Sequence, residues 1–544
     1  MGMIMIFLLA ILSLFLVWTL WGRMVHALQM LQQCHYMNDR FTTWMAGHRL
    51  VVLPVPLCVL VILYWVLVVA SFLVQMSGTV LTVGTLVIGL LGLGMIKLSS
   101  GVSKESKKPL KITARVWRII ATGTILMLLI AGLLLLALQA SGLMLASQIA
   151  GLLLTFNLLA YVLMLLANGI NKPMEKSIRL GFINDARHIV KESASLDVIG
   201  VTGSYGKTST KHALNAILSE QFNTLMTPES YNTPMGITIT IRNYLKPIHN
   251  KFIAEMGAYK VGEIKELCEI AYPKYGVLTS VGPQHLETFK TIDHVKQTKF
   301  ELIEYLPEDG IGLINIDDEN IRDYYEHKFS GKCTVYTYGI DHEADYRASD
   351  IVVSEKGTTF KVTFRDGSVH SFQTKLLGHH NIYNTVASIA LGNELGIPVE
   401  KMQVAVRKMK PVTHRLELRR NGNFTIIDDA FNSNPVGSKM ALEVLGQMNG
   451  KRIVLTPGMV DLGTAQYDLN KAFGTYMKET CDYVILVGKK QTEPIQEGLK
   501  EVKFPEDKIT VAENLTEAFK VMYEVVEPGA FVLIENDLPE LFAE

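Results

Sequence analysis

The chain has 544 residues, of which 49% are hydrophobic, and its 52 basic residues balance its 52 acidic ones. A chain of this length forms several domains, and such an apolar excess belongs to a specific part of it. Zero net charge gives no electrostatic reason to expect nucleic acid as a partner, and five scattered cysteines without CxxC pairs predict neither a disulfide framework nor a metal ribbon.

Five apolar runs in the first third of the chain are long enough for membrane-spanning helices, which need about 20 residues each. They cover roughly residues 3–21, 51–74, 79–96, 119–139 and 143–168, and none contains a charged side chain. The first lacks the basic start and small-residue cleavage site of a signal peptide, so we expect it to remain as an anchor. Residues 1–170 are therefore predicted to be an α-helical membrane region, followed by a juxtamembrane linker over residues 171–195.

The charges in the connections predict the orientation, because lysine and arginine are retained on the cytoplasmic side. The connections near Ser77 and Ser141 carry no charge. The other flanking segments are basic, through Arg23, Arg40, Arg49, Lys97, Lys104, Lys107, Lys108, Lys111, Arg115, Lys172, Lys176 and Arg179. We expect a multi-pass membrane protein with its N-terminus outside and everything after residue 170 in the cytoplasm. Spans without ionisable residues disfavour an alternative interpretation, an ATP-driven transporter.

A glycine loop follows the apolar run Asp197–Val201 and precedes a helical stretch, which is the order of a phosphate-binding strand, loop and helix. Its backbone N–H groups and the helix N-terminus can surround phosphate oxygens, while Lys207 reaches the terminal phosphates and the Thr208 hydroxyl holds Mg²⁺. We therefore expect ATP and Mg²⁺ as cofactors. The general pattern has glycine where this chain has Val201, so the loop is a shortened form. It consists of Thr202, Gly203, Ser204, Tyr205, Gly206, Lys207, Thr208 and Ser209.

Two candidate metal ligands follow buried strands. Glu255 ends the run Phe252–Glu255, and His285 follows the run Val277–Val281. The carboxyl ends of parallel strands border the ligand crevice of an open α/β sheet, so both side chains can reach a divalent metal there. The alternative is a solvated carboxylate and a hydrogen-bonded histidine. Lys299 lies on a predicted helix, where the pattern alone favours a solvated face.

Short β-rich runs between residues 333 and 377 are expected to form an insertion in the central domain. Asn381 and Asn384 then begin a helix, for which N-capping is a sufficient structural reason. Near residue 412 a second α/β unit starts, with strands at 424–427, 452–455, 483–487, 509–511 and 531–534 that predict a mostly parallel, Rossmann-like sheet. It lacks a GxGxxG loop, so a nicotinamide cofactor is not expected.

These motifs together resemble the Mur ligase family. The resemblance rests on the short T-G-x-x-G-K-T loop, the stretch Tyr231–Gly236, the H-N-x-x-N stretch at His380, His414-Arg415-Leu416-Glu417 in place of G-R-x-E, and Asp428–Pro435 in place of D-D-S-Y-N-A-N-P. It implies a P-loop central domain over residues 196–411 and a Rossmann-like C-terminal domain over residues 412–544. His414 occupies a position where the family has glycine.

The resemblance also implies roles for individual residues. Lys207 and Arg415 balance phosphate charge, and Glu255, His285 and a carbamylated Lys299 are expected around a metal ion with Thr208. The nucleotide site is expected to include the phosphate loop, Asn381, Asn384, Arg415, Asp428, Asp429 and Asn432.

The implied activity is that of an ATP-dependent ligase that converts a carboxylate into an acyl phosphate and joins it to an amine. The motif at Asp428–Pro435 is similar to that of the subgroup which adds D-Ala-D-Ala to a muramoyl-tripeptide in peptidoglycan synthesis. The family's uridine-nucleotide-binding domain and K-G-S-R segment are missing, so a lipid-linked muropeptide or a growing polyglutamate are alternative substrates. The joint presence of Lys207, Glu255, His285 and Arg415 disfavours an inactive scaffold.

Overall fold

The computed structural model describes residues 2–100, 109–138, 141–229, 231–284, 286–354, 357–430, 433–460 and 462–536. The chain divides into two compact units, Met1–Leu180 and Gly181–Glu544. The predicted His285 and Asn432 lie outside the described residues.

The first unit consists of α-helices. Five described helical segments are long and apolar enough to cross a membrane, namely Gly2–Gln33, Arg49–Leu73, Gly78–Leu98, Ala114–Leu138 and Gly142–Glu192. Side chains such as Leu14, Trp18 and Phe72 remain exposed on the outer faces of these helices, as expected of surfaces that face lipid. The helices are α1 (Gly2–Gln33), α2 (Asn38–Gly47), α3 (Arg49–Val52), α4 (Val55–Leu73), α5 (Gly78–Ser100), α6 (Ala114–Leu138) and α7 (Gly142–Glu192).

Arg23 corrects one detail of the predicted topology. It does not lie in a connection but inside α1, where its side chain is buried. Its guanidinium donates hydrogen bonds to the carbonyl oxygens of Asn157, at 2.8 Å, and Val52, at 2.9 Å. Arg23 therefore satisfies backbone acceptors within the unit, and the predicted orientation of this connection depends on Arg40 and Arg49 alone.

The second unit begins with the last residues of α7 and contains, first, a nine-stranded sheet in the order β2-β3-β1-β4-β5-β6-β7-β8-β9. Neighbouring strands from β2 to β7 are parallel, and β7, β8 and β9 are antiparallel. The β-rich stretch expected as an insertion thus continues the same sheet at one edge. The strands are β1 (Asp197–Thr202), β2 (Thr224–Met226), β3 (Lys251–Glu255), β4 (Tyr275–Leu278), β5 (Ile311–Asn315), β6 (Thr334–Gly339), β7 (Tyr346–Ser354), β8 (Gly357–Thr363) and β9 (Val369–Thr374).

Helices cover both faces of this sheet and bury two separate apolar clusters. Strand β1 lies between β3 and β4, so the loop that follows it opens at the carboxyl ends of these three parallel strands. The helices are α8 (Lys207–Leu218), α9 (Pro234–Tyr244), α10 (Glu263–Ala271), α11 (Leu286–Phe289), α12 (Ile292–Tyr305), α13 (Glu319–His327), α14 (His379–Glu394) and α15 (Val399–Lys408).

The C-terminal sheet has six strands in the order β10-β11-β15-β12-β13-β14, parallel except for the hairpin of β10 and β11. The five strands predicted from the sequence are confirmed, while the hairpin strand β10 was not foreseen. The elements are β10 (Glu417–Asn421), β11 (Phe424–Asp429), α16 (Pro435–Gly446), β12 (Arg452–Thr456), α17 (Gln466–Thr480), β13 (Tyr483–Val487), α18 (Glu493–Glu501), β14 (Ile509–Ala512), α19 (Leu515–Val525) and β15 (Phe531–Glu535), with 3₁₀ turns at Gly463–Ala465 and Glu506–Lys508.

Candidate active site

The phosphate loop joins β1 to α8 and is fixed by contacts with the strand-end segment after β4. The backbone N–H of Ser204 donates to the Ser280 carbonyl at 2.8 Å, and that of Tyr205 donates to the Ser280 hydroxyl at 2.8 Å. Gly206 has a φ of +81°, and a Cβ there would lie 2.7 Å from the Asn384 side-chain oxygen. Only glycine fits this turn, which brings the start of α8 to the sheet edge.

Lys207 is the first residue of α8, and its side chain folds back over the loop. Its Nζ donates to the carbonyl oxygens of Gly203, at 2.7 Å, and Ser204, at 2.9 Å. Burial lowers the pKa of Lys207 to about 8, although the nearby charge of Glu255 opposes the change. An anion bound at the loop would favour the charged form of this lysine.

Glu255 ends β3 beside the loop and is almost fully buried. Its Oε1 accepts hydrogen bonds from the Thr208 hydroxyl at 3.2 Å and the Asn232 amide at 3.1 Å, and its Oε2 lies 3.0 Å from Lys211 Nζ. Burial raises the pKa of Glu255, but the Lys211 and Lys207 cations outweigh it and keep the pKa below its usual value. Glu255 is therefore a charged carboxylate between two lysines.

Sequence reasoning missed Lys211. Its side chain is fully buried, and Nζ also donates to the Glu229 carbonyl at 2.6 Å. The available signal was its spacing, because residues four apart occupy the same face of a helix and Lys207 already points toward the site. Lys211 belongs with the residues that position Glu255.

Lys299 lies on α12 with only 3% of its surface exposed, so the solvated face favoured by the pattern alone is wrong. Its Nζ lies 5.9 Å from the centre of the Phe289 ring. Burial, and then the charge of Lys207, hold the pKa of Lys299 well below its usual range. Burial of this kind favours the neutral amine over the ammonium ion, and the neutral amine is the form that reacts with carbon dioxide.

Arg415 brings the C-terminal domain to the loop. Its Nη2 donates to the Thr208 hydroxyl at 3.4 Å, and burial lowers its pKa despite the charges of Glu255 and Asp429. The preceding His414 has a φ of +60°, which explains why glycine suits this position, and its Nδ1 lies 2.8 Å from Asp428 Oδ2. This contact offsets part of the cost of the left-handed backbone.

A cavity of about 270 Å³ opens between the loop, α14 and the C-terminal domain. Asn384 lines it and accepts a hydrogen bond from Thr210 at 2.9 Å, whereas Asn381 does not line it and donates to the Leu377 carbonyl at 2.8 Å. The wall includes six residues predicted for the nucleotide site, Tyr205, Gly206, Ser209, Asn384, Arg415 and Asp429.

Three other predicted residues have structural contacts. The Thr202 hydroxyl donates to the Met256 carbonyl at 2.9 Å, and the Ser204 hydroxyl accepts from the Gly282 N–H at 2.9 Å. Asp428 faces away from the cavity and contacts His414 and, at 3.1 Å, Arg419. These residues shape the loop and the hairpin from behind.

Tyr205 and His380 line the cavity, and their buried Oη and Nδ1 atoms have no hydrogen-bond partner among the described residues. Burial lowers the pKa of His380 to about 4 and raises that of Tyr205 above its usual value. A buried polar atom without a partner costs free energy in the folded state.

The oxygen donors at the loop fit a hard cation. The described part of the chain contains no group of three His, Cys, Asp or Glu residues placed to hold a metal. The Thr208 hydroxyl and the Glu255 carboxylate are nonetheless adjacent, and Mg²⁺ takes few protein oxygens when phosphate and water complete its shell. These two residues could hold Mg²⁺ together with a bound nucleotide.

Two family models match the chain, the Mur ligase middle domain over residues 201–392 and the Mur ligase, glutamate ligase domain over residues 414–535. The UDP-N-acetylmuramoyl-tripeptide–D-alanyl-D-alanine ligase of Bacillus subtilis (strain 168) is 31% identical over 344 residues, which are 62% of this chain and 72% of that ligase. The Escherichia coli (strain K12) ligase of the same name is 30% identical over 58% of this chain and 69% of its own length.

Solved structures show the same fold. MurF ligase from Thermotoga maritima in complex with ADP superposes with a TM-score of 0.60 at 25% identity, covering 67% of this chain and 81% of that chain. MurF from Acinetobacter baumannii has a TM-score of 0.60 at 23% identity and covers 66% and 78%.

Proposed function

Because this chain belongs to the Mur ligase family, we propose that it is an ATP-dependent ligase that converts a carboxylate into an acyl phosphate and joins it to an amine. One observation carries the proposal. The Thr208 hydroxyl lies within hydrogen-bond distance of Glu255 in the central domain and of Arg415 in the C-terminal domain. Groups suited to metal and phosphate thus meet at the loop from both domains.

The chain's own residues supply positioning and charge, which carry most of the catalysis in phosphoryl transfer. When a nucleotide binds, Lys207 would donate hydrogen bonds to its terminal phosphates instead of to the carbonyl oxygens of the loop. The planar guanidinium of Arg415 would donate to the oxygens of the phosphoryl group that is transferred. Thr208 and Glu255 would hold Mg²⁺, which neutralises phosphate charge when bound. Lys211 keeps the Glu255 carboxylate aimed at the loop.

For the substrates, we propose a muramoyl-tripeptide as the acyl donor and D-Ala-D-Ala as the amine, in peptidoglycan precursor synthesis. The support is the name shared by the relatives from B. subtilis and E. coli, together with the Asp428–Pro435 motif. The fit of the motif to its surroundings adds to this, because Asn434 caps α16 through the Gly437 N–H at 2.8 Å, and both Asn434 and Asp429 line the cavity.

A specific observation favours a second candidate, in which the donor is a lipid-linked muropeptide or a growing polyglutamate. The match to the family begins at residue 201, and five helices suited to span a membrane precede it. Such an anchor would hold the site close to a lipid-linked donor in the same bilayer, so it favours the lipid-linked muropeptide of the two. The ATP chemistry is the same in both cases, and only the donor differs.

We also propose that the N-terminus lies outside and the second unit lies in the cytoplasm, where ATP is available. The support is the basic character of alternate connections, including Arg40 and Arg49 before α4. Reporter fusions test this, since a periplasm-active phosphatase fused after residue 536 should be inactive and a fluorescent protein at the same place should be bright.

Release of inorganic phosphate by the purified full-length protein tests the substrates. We expect release that requires both UDP-muramoyl-tripeptide and D-Ala-D-Ala. Release that requires a lipid-linked muropeptide or a polyglutamate instead would establish the second candidate, and no release with any donor and amine would refute the ligase proposal.

A further inference from the structure

A basic cluster lies in the first unit, where the turn after α1, the start of α6 and the later part of α7 meet. The guanidinium carbon of Arg115 lies 3.9 Å from the centre of the Tyr36 ring, and its Nη2 donates to Asn168 Oδ1 at 3.5 Å. One turn later on α6, Arg118 Nε lies 2.6 Å from Glu175 Oε1. The members of this Arg115 cluster are Tyr36, Lys111, Arg115, Arg118, Asn168 and Glu175.

The position of the cluster relative to the apolar runs gives its depth in a bilayer. The apolar run of α6 covers residues 119–139 and that of α7 covers residues 143–168, so Arg115 and Glu175 flank the same end of both runs. Trp117 lies beside Arg115 in the chain and is 55% exposed, and tryptophan is enriched at the boundary between membrane and water. Lipid phosphates occupy this layer, directly outside the hydrocarbon core. The cluster is therefore at the depth of a lipid headgroup.

The charge of Arg115 is only partly neutralised by its surroundings. Glu175 is 2.6 Å from Arg118 Nε but 4.0 Å from Arg115 Nε, which is beyond hydrogen-bond distance. Arg115 Nε is buried and has no hydrogen-bond partner in the part of the chain that the structure describes. With Lys111, the cluster has three cations and one carboxylate, which leave a formal charge of +2. An anion is needed to balance it.

The contacts around Arg115 hold its guanidinium in one place. Tyr36 beneath it has a φ of +59°, and its carbonyl oxygen and Oη accept hydrogen bonds from Asn168 Nδ2, at 3.1 Å, and Gln32 Nε2, at 3.0 Å. The same Gln32 amide bonds to both backbone groups of Lys111, each at 2.9 Å. A strained residue held by several contacts is typical of a functional site. The Arg115 side chain nevertheless remains 32% exposed, so a ligand can reach it.

We propose that the Arg115 cluster binds the phosphate of a lipid headgroup. A planar guanidinium matches two phosphate oxygens, and basic sites between membrane helices bind anionic headgroups. The terminal nitrogens of Arg115 donate to the phosphate and Lys111 adds a second charge, while Arg118 keeps its pair with Glu175. Acyl chains hold a lipid phosphate at this depth, which favours a lipid over free phosphate. The inference rests on the proposed membrane insertion and does not require the lipid to be the acyl donor.

Titration of the purified full-length protein in detergent with phosphatidylglycerol, followed by native mass spectrometry, measures this binding. In Arg115→Gln we expect the Kd to rise about 10-fold or more, because a hydrogen bond between charged groups is lost. Arg115→Lys keeps the charge but loses the two-point contact, so its Kd should lie between those of Arg115→Gln and the wild type. Arg49→Gln is the matched control, because Arg49 at the start of α3 is a basic residue outside the cluster, and its Kd should stay within about 2-fold of the wild type.

Two further ligands identify the chemical group that is recognised. Diacylglycerol with the same acyl chains lacks the phosphate, so it should bind the wild type no better than it binds Arg115→Gln. Inorganic phosphate lacks the acyl chains, so an equal concentration of it should not displace phosphatidylglycerol. Displacement by inorganic phosphate would overturn the assignment to a lipid, and equal binding of diacylglycerol and phosphatidylglycerol would overturn the assignment to a phosphate.

The variants decide whether the cluster is the site. Equal Kd values for phosphatidylglycerol in the wild type, Arg115→Gln and Arg49→Gln would overturn the proposal. If Arg115→Gln does not fold, Lys111→Gln at an exposed position decides instead, because a Kd like that of the wild type would overturn the proposal and a higher Kd would support it. A full-length protein that stays soluble without detergent would contradict membrane insertion, and this inference with it. Absence of phosphate release in the ligase assay would refute only the ligase proposal.

Discussion

Replacement of Lys211 by methionine tests the buried charge network that positions Glu255. Lys211 is fully buried, and its Nζ lies 3.0 Å from Glu255 Oε2. Removal of one partner of a buried ion pair costs about 3–5 kcal/mol, because the other charge stays buried without compensation. Lys207 also lowers the pKa of Glu255, so it compensates in part and we expect a loss near the lower end, about 3 kcal/mol.

Calorimetry of the full-length protein in detergent measures this loss. All five tryptophans lie before residue 118, so tryptophan fluorescence would not report on the second unit. For a domain of this size, about 3 kcal/mol corresponds to a decrease in Tm of roughly 6–12 °C. Lys211→Met combined with Glu255→Gln removes both charges and should recover most of the decrease.

Lys251→Met is the matched control. Lys251 on β3 pairs with Asp197, a carboxylate that keeps contact with water, so its loss should cost at most about 1 kcal/mol. A Tm of Lys211→Met no lower than that of Lys251→Met, or a double variant less stable than Lys211→Met, would refute the reasoning.

Three further predictions concern the loop and its surroundings. Gly206→Ala adds a Cβ at positive φ against Asn384, so the KM for ATP in the phosphate-release assay should rise about 10-fold. Gly367→Ala is the control, because Gly367 has a similar φ and its added Cβ meets no atom within 4 Å, and it should leave the KM for ATP unchanged. The pKa of His380 is lowered to about 4, so an unfolded chain takes up its proton first as the pH falls. The free energy of unfolding therefore falls between pH 6.5 and 4, by at most about 3 kcal/mol. His380→Gln should show a smaller decrease in Tm over this pH range, and equal decreases in Tm for the variant and the wild type would contradict this. Lys299→Ala should lose activity, and added short carboxylic acids should restore it. The wild type should lose activity when bicarbonate is removed. If neither addition nor removal changes the activity, carbamylation of Lys299 is excluded.

The sequence predicted the parts of the site that depend on local patterns. A strand, a glycine loop and a helix start occur within about 20 residues, so the positions of Lys207 and Thr208 follow from short-range rules. Glu255 was predicted because it ends a buried strand, and the parallel sheet does place it beside the loop. The five C-terminal strands were visible from their spacing.

Features that depend on distant register were not predictable. Asp429 and Glu535 are separated by more than 100 residues, and only the pairing of β11 with β15 brings them together. Lys299 seemed suited to a solvated face because a helix pattern does not show what covers that face. In the structure Lys299 is buried, and Phe289 of α11 lies beside it. Arg23 appeared to end a span because a charge interrupts an apolar run, yet the helix continues for ten more residues to Gln33.

The fate of the donor's carboxylate oxygen tests the central claim most directly. If the last phosphate of ATP passes to a carboxylate at the loop after Val201, a donor whose carboxylate carries ¹⁸O must transfer one labelled oxygen to the inorganic phosphate released. We expect singly labelled phosphate from the wild-type protein and none from Lys207→Ala. Unlabelled phosphate from the wild type, or labelled phosphate at an undiminished rate from Lys207→Ala, would contradict the account.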